Sequence, residues 1–266
     1  QDIEVGLMHA SYFGGLAAFD HLGVSKRLQN QTVVSANVIR LGVDNIYNTT
    51  QLIDNQGNID YSQLQTFNSA DYAIIGSLAK PTKIQHLSLG LSAKVLYRHI
   101  GNFAKAYGFG FDAGLQYRPS KNWSAGLSLR DATSTFSAWT YNLSPEMQAT
   151  LLETNNELPQ NGIEQMLPRI VFGIAGKVPL KSEKYELGGQ LNAEITTDGP
   201  RNTLLSGSVF SLDPRAGVYL NYDHKLVFRT GVSQFQYYQD FDQTQKLGLQ
   251  PHLGAGVVLQ NWTIDY

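Results

Sequence analysis

Apolar and polar residues alternate with period two through residues 84–132, and this pattern constrains the chain more than any other feature. From Leu87 one parity reads Leu87, Leu89, Leu91, Ala93, Val95, Tyr97, and the other Ser88, Gly90, Ser92, Lys94, Arg98, broken only by Leu96. Tyr107, Phe109, Phe111, Ala113, Leu115, Tyr117 then alternate with Gly108, Gly110, Asp112, Gly114, Gln116, and Trp123, Ala125, Leu127, Leu129 with Ser124, Gly126, Ser128, Arg130. Side chains alternate faces along a strand, so each run reads as a strand with one apolar and one polar face. Ordinary strands run about five or six residues, whereas bilayer-crossing ones need roughly 9–11. Long strands with a broad apolar face ending in aromatics predict a transmembrane β-barrel, lipid on one face and lumen on the other.

Composition agrees. The chain has 266 residues, with 25 Gly, 14 Tyr and 12 Phe. No run approaches 18 consecutive apolar residues, which excludes a helical span but not a barrel, whose alternation keeps hydropathy low. The absence of Cys excludes disulfides and thiolate metal sites. A net charge of −2 with no basic block argues against nucleic acid as a partner.

Thirteen strands are expected, near 2–10, 17–28, 32–43, 70–80, 84–100, 104–118, 122–133, 167–178, 184–197, 207–222, 226–236, 246–259 and from 261. Short turns at Gln29–Gln31, Pro81–Lys83, Pro119–Lys121, Pro179–Glu183, Asp223–Lys225 and Gln260 alternate with connections at Ser11–Leu16, Asp44–Ser69, Gly101–Phe103, Ser134–Met166, Asp198–Ser206 and Tyr237–Gln245. Most of the latter are long. An antiparallel up-and-down meander in a bilayer gives this order, with tight periplasmic turns and long extracellular loops. Tyr117, Trp123, Tyr185, Tyr222 and Trp262 sit beside short turns on the apolar parity and would form one interfacial girdle; Tyr97 and Tyr107 belong to the opposite belt. No signal peptide is visible, and the sequence starts and stops within strand text. The expectation is a single barrel domain over 1–266, with a hatch before Gln1 and a last strand after Tyr266. Since bacterial barrels close with even strand numbers, fourteen is the smallest count.

The polar parity carries a mixed-charge network. Its candidate site residues are Lys94, Arg98, Asp112, Arg130, Arg169, Glu186 and Glu194, with Arg215, Arg229 and His252 on the same parity. Glycines such as Gly108, Gly173, Gly188 and Gly256 share it and predict close packing against the sheet, favouring a filled or plugged lumen over an open pore. Arg40 shares the apolar parity of Val34, Ala36 and Val38, so it lies at the extracellular rim or behind a register-resetting bulge.

No catalytic pattern emerges. The six His are scattered without metal-ligand spacing, the pairs Ser11/His9 and Asp20/His21 lack a third partner, and Gly-x-Gly runs lie inside strands. The chain is expected to be non-enzymatic, with no cofactor or metal. Asp54–Asp60 reads as a turn in a loop. Ser144–Leu152 predicts a short helix with Ser144 as cap and Pro145 in its first turn.

Several stretches together resemble the PorV/PorQ family of Bacteroidota outer-membrane proteins, relatives of the FadL-type fatty-acid transporters. They include Gly6-Leu7-Met8-His9-Ala10-Ser11-Tyr12-Phe13, Ile39-Arg40-Leu41-Gly42-Val43-Asp44-Asn45, Leu129-Arg130-Asp131-Ala132-Thr133, Thr197-Asp198-Gly199-Pro200-Arg201-Asn202 and Asp213-Pro214-Arg215-Ala216-Gly217. The resemblance is strongest to the PorV-like branch. It implies a 14-stranded FadL-like barrel in the outer membrane whose partners are lipid, the type IX secretion translocon and the C-terminal domains of cargo. In that setting the loops Asp44–Ser69 and Ser134–Met166 would meet partners. The alternative implied by the same kinship is a FadL-like transporter of hydrophobic small molecules.

Overall fold

The computed structural model describes residues 3–53, 56–180 and 184–266. The first residue of the first expected strand (Asp2), part of the expected turn at 54–60 (Asp54, Asn55) and most of the Pro179–Glu183 turn lie outside the described residues. The chain is an all-β, antiparallel, up-and-down sheet. Its strands are β1 (Ile3–Tyr12), β2 (Ala17–Arg27), β3 (Val33–Asn48), β4 (Gln65–Pro81), β5 (Leu87–Ile100), β6 (Ala104–Tyr117), β7 (Trp123–Arg130), β8 (Thr135–Tyr141), β9 (Gly162–Met166), β10 (Arg169–Pro179), β11 (Tyr185–Thr196), β12 (Leu205–Ser206), β13 (Ser211–Tyr222), β14 (Leu226–Gln239), β15 (Gln245–Leu259) and β16 (Trp262–Asp265). Thirteen of them run along the sheet in sequence order, matching the thirteen expected strands one for one. The remaining three, β8, β9 and β12, pair off that path.

Differences from the expected boundaries have local causes. β3 and β4 continue past Asp44 and before Ala70, because a bulge between Val43 and Ile46 resets the pairing. Asn45 sits there at φ 60 and donates its backbone N–H to the Asn68 side chain at 3.0 Å. The bulge breaks the two-residue period, which hid the continuation. β14 likewise runs on past a register shift between Ser233 and Gln236. The 134–166 connection holds the expected helix, α1 (Pro145–Glu153), capped by Ser144 Oγ accepting from Met147 N. It also holds β8 and β9, which were not expected. β6 pairs with β7 over Ala113–Tyr117 and with β8 over Ala104–Phe109, so one strand changes partner partway along.

The two faces differ as the alternation requires. Register places Leu7, Leu22, Val38 and Ile74 in one cross-strand row, and Leu127, Phe172, Ala193 and Pro214 in another. These faces stay open: Leu7 is 79% exposed and Leu253 87%. Among the described residues only Ala70, Ala104, Ala106 and Val227 are buried apolar side chains. The chain exposes 18855 Å². A soluble monomer of this mass exposes about 11,500 Å². Open apolar rows of this kind are foreign to water-soluble monomers.

Contacts divide the chain into two compact units. The first comprises Gln1–Ala79, Leu91–Phe111 and Thr133–Met166, and the second Lys80–Gly90, Asp112–Ala132 and Leu167–Tyr266. Each is described separately below.

Candidate functional site

In the second unit the polar face carries a chain of alternating charges. The last residue of β7 is Arg130, and Asp131 then turns at φ 53, where its N–H donates to Asp112 Oδ1 at 2.8 Å. The Asp131 carboxylate, 1% exposed, meets Arg169 at 3.2 Å. Arg169 also lies 3.6 Å from Glu194, which accepts from Arg215 at 2.8 Å, and Arg215 in turn donates to Asp213 at 3.0 Å. Four expected residues thus gather here: Asp112, Arg169 and Glu194 inside the network, and Arg130 beside it. Arg130 stands directly opposite Arg169 in the β7–β10 register and makes no ion pair among the described residues. Asp131 escaped the sequence reading because it shares the parity of Leu129. Its left-handed turn carries it off the apolar face.

Glu186 belongs to a different group. It accepts from Lys177 at 2.8 Å and from the Tyr219 hydroxyl at 3.3 Å. Tyr219 reaches it by lying across Gly188, where a Cβ would stand 2.1 Å from the ring. Asn192 over Gly173 and Asp265 over Gly256 repeat this arrangement. These three polar-face glycines are covered by cross-strand side chains, whereas Gly114 and Gly126 have only a backbone oxygen at 3.6–3.7 Å from where a Cβ would sit. Lys177 shares the parity of Arg169 and was legible, though unremarked.

In the first unit Arg98 donates to Asp71 at 3.0 Å and to Glu164 of β9 at 2.6 Å, and its guanidinium lies 4.8 Å over Trp139 of β8. Trp139 Nε1 donates to the same Glu164 oxygen at 2.7 Å. Trp139 stands opposite Ala106, whose burial is complete, and nearby Thr135 and Ser137 are equally sealed. Here the polar face is filled by the chain's own 134–166 segment. The alkyl stem of Lys94 passes beside Gly110, 3.0 Å from where a Cβ would sit. Lys94 and Arg98 both belong to this unit.

The second unit also carries a cavity of about 1250 Å³ against its polar face, lined by Lys177, Gln190, Asn192, Arg215, Arg229 and His252 among others. On the apolar face a groove of about 660 Å³ runs between Trp123, Ile174, Leu187, Leu191 and Val218. Both share the same stretch of backbone: Ala175, Gly176, Gly189, Ala216, Gly217 and Gly231 line each of them. Gly176 and Gly189 are register partners, as are Gly217 and Gly231; the Trp123 ring lies over Gly176, while Gly189 and Gly217 have only ordinary contacts where a Cβ would sit. No reading of the sequence singled this patch out. Its signal is six small residues falling at neighbouring register positions, which requires the pairing to be known.

Outside the strands, Asp198 accepts from Arg201 Nε at 3.0 Å and pairs with the other guanidinium arm, which holds its carboxyl below the usual range. Lys246 does the same for Asp240. No cluster of His, Asp or Glu able to hold a metal occurs among the described residues.

No family model and no curated protein matches this chain. Among solved structures it is similar to the CymD monoaromatic hydrocarbon channel, at 12% identity and TM-score 0.46, covering 96% of this chain and 76% of that one. A TodX deltaS2S3 mutant monoaromatic hydrocarbon channel matches at 11% identity and TM-score 0.44, covering 96% and 78% respectively.

Proposed function

We propose that this chain is a FadL-like β-barrel of a bacterial outer membrane that admits a small, largely apolar molecule. The open apolar face, bordered by aromatics such as the Tyr185–Tyr222 pair at 5.0 Å, supports the membrane setting. The observation that carries the transport reading is the glycine and alanine stretch that lines both the groove and the cavity. An apolar solute dissolved among lipid tails would settle in the groove, and the polar cavity would receive it. On this reading Asp112, Arg130, Arg169, Glu186 and Glu194 are structural groups of the unit that carries the route, and Lys94 and Arg98 structural groups of the other unit. The test is uptake of radiolabelled naphthalene by cells expressing the chain. Gly189 has room for a side chain, its nearest neighbours to a Cβ being 3.6–3.7 Å away. Gly189→Leu fills the groove and should cut uptake about tenfold, equivalent to roughly 1.4 kcal/mol. Equal uptake by the variant, or by cells lacking the chain, overturns the reading.

A second reading, service in type IX secretion as a PorV-like binding or shuttle component, is supported by the motif resemblance and by the ordered 134–166 segment. Its partners would be the translocon and cargo C-terminal domains. Removing residues 49–64 and 142–161 should abolish capture of such a domain by the purified protein; undiminished capture counts against this role.

A further inference from the structure

The first unit carries a second groove, of about 780 Å³, on the apolar face at one end of the strands. Its lining includes Phe67, Tyr72, Tyr97, His99, Asn102 and Phe103, and it reaches Val38 and Ile74. Tyr72 stacks on Tyr97 and on His99, at 6.2 Å in each case with interplanar angles of 25° and 18°, and Tyr97 lies 5.1 Å from Tyr107. Alongside runs the cross-strand row His9, Asp20, Arg40, Tyr72. His9 Nδ1 is 2.7 Å from Asp20, and Arg40 lies 3.5 Å from Asp20 and 2.7 Å from Asp44. The pairing is unbroken through Arg40, so Arg40 is on the apolar side at the rim, with no bulge before it. Its guanidinium lies along Gly42 to reach Asp44; a Cβ there would be 2.6 Å from Arg40 Cζ.

We infer that this groove seats the sugar headgroup of a membrane glycolipid. The inference rests on the membrane reading above. The next row along the strands, Leu7, Leu22, Val38 and Ile74, is open and would take the acyl chains. Stacked aromatic rings bordered by carboxylate, guanidinium, imidazole and amide groups suit a polyol, with its apolar ring faces and many hydroxyls. Charge argues against a phosphate: two carboxylates already occupy Arg40, leaving the row with no surplus cation.

The test uses the full chain in phosphatidylcholine nanodiscs containing equal small fractions of monoglucosyl diacylglycerol and phosphatidylglycerol. Native mass spectrometry of the released protein counts the retained lipids. The expected result is glucolipid retained about fivefold over phosphatidylglycerol, with the excess lost in Tyr97→Ala and Tyr72→Ala and kept in Tyr222→Ala, a change in the other unit. Equal retention, preference for phosphatidylglycerol, or an unchanged Tyr97→Ala variant overturns the inference. Failure of the chain to enter nanodiscs at all would instead overturn the membrane reading.

Discussion

Replacing Arg169 by Met puts the inner ion network to a direct test. Arg169 connects Asp131, at 3.2 Å and 1% exposed, with Glu194, at 3.6 Å. At an effective dielectric constant of 20 each contact is worth about 5 kcal/mol before desolvation. Removing one partner of a buried pair typically costs about 3–5 kcal/mol, because the other charge stays buried. Arg169 is itself 35% exposed and Glu194 keeps Arg215, so water and the remaining cation offset part of the loss. The expected destabilisation is therefore about 2–3 kcal/mol. Urea unfolding in lipid vesicles, followed by tryptophan fluorescence, measures it. Combining Arg169→Met with Asp131→Asn should recover about 1 kcal/mol or more as a coupling energy, since the amide needs no counter-charge. A single-variant loss below about 0.5 kcal/mol, together with zero coupling, would refute the assignment of Asp131 and Arg169 as a buried pair. If the Met variant does not fold, Arg169→Lys keeps the charge and should lose only about 1 kcal/mol.

Two other outcomes are expected. Arg98→Ala removes the Glu164 ion pair and the Trp139 cation–π contact through which Arg98, itself tied to Asp71 of β4, holds β9 and β8, so the 134–166 segment should be nicked by protease several times faster while the rest of the chain stays resistant; equal nicking contradicts the pinning role. Because Arg201 depresses the Asp198 carboxyl in the folded loop, its stabilisation is complete above the ordinary carboxylate pKa of about 3.9 and is lost as pH falls through the lower folded value. Amide protection factors across 197–206 should accordingly fall in wild type once pH drops below about 4, and already be lower at pH 6 in Arg201→Gln; unchanged protection in both would disprove the tie.

The thirteen strands of the main path, their order and their two-face alternation were legible because the alternation is regular wherever the ladder is regular. Legibility ended where the backbone departs from period two. Asn45 and Gln234, both non-glycine residues at positive φ, introduce the bulges that concealed the ends of β3 and β14. β8 and β9 were missed because loop length alone suggested irregular structure, although Thr135–Tyr141 and Gly162–Met166 pair in a regular register. The charged residues were legible as sharing the polar face, but not how they divide among partners. Parity cannot say that Arg98 meets Glu164, 66 positions away, or that Asp131 leaves the face of Leu129. The glycine-rich stretch needed the register, since Gly176, Gly189, Gly217 and Gly231 are scattered in sequence and adjacent only across strands.

The exchange of partners along β6 also separates two tolerances within one stretch of chain. β8 holds to β6, and β9 to β8, through main-chain hydrogen bonds that do not depend on what joins them. Residues 154–161, between α1 and β9, are almost wholly exposed and contribute no strand. An epitope or a fluorescent label inserted there should leave the ladder intact, giving a handle on the long loop that does not disturb the sheet supporting it.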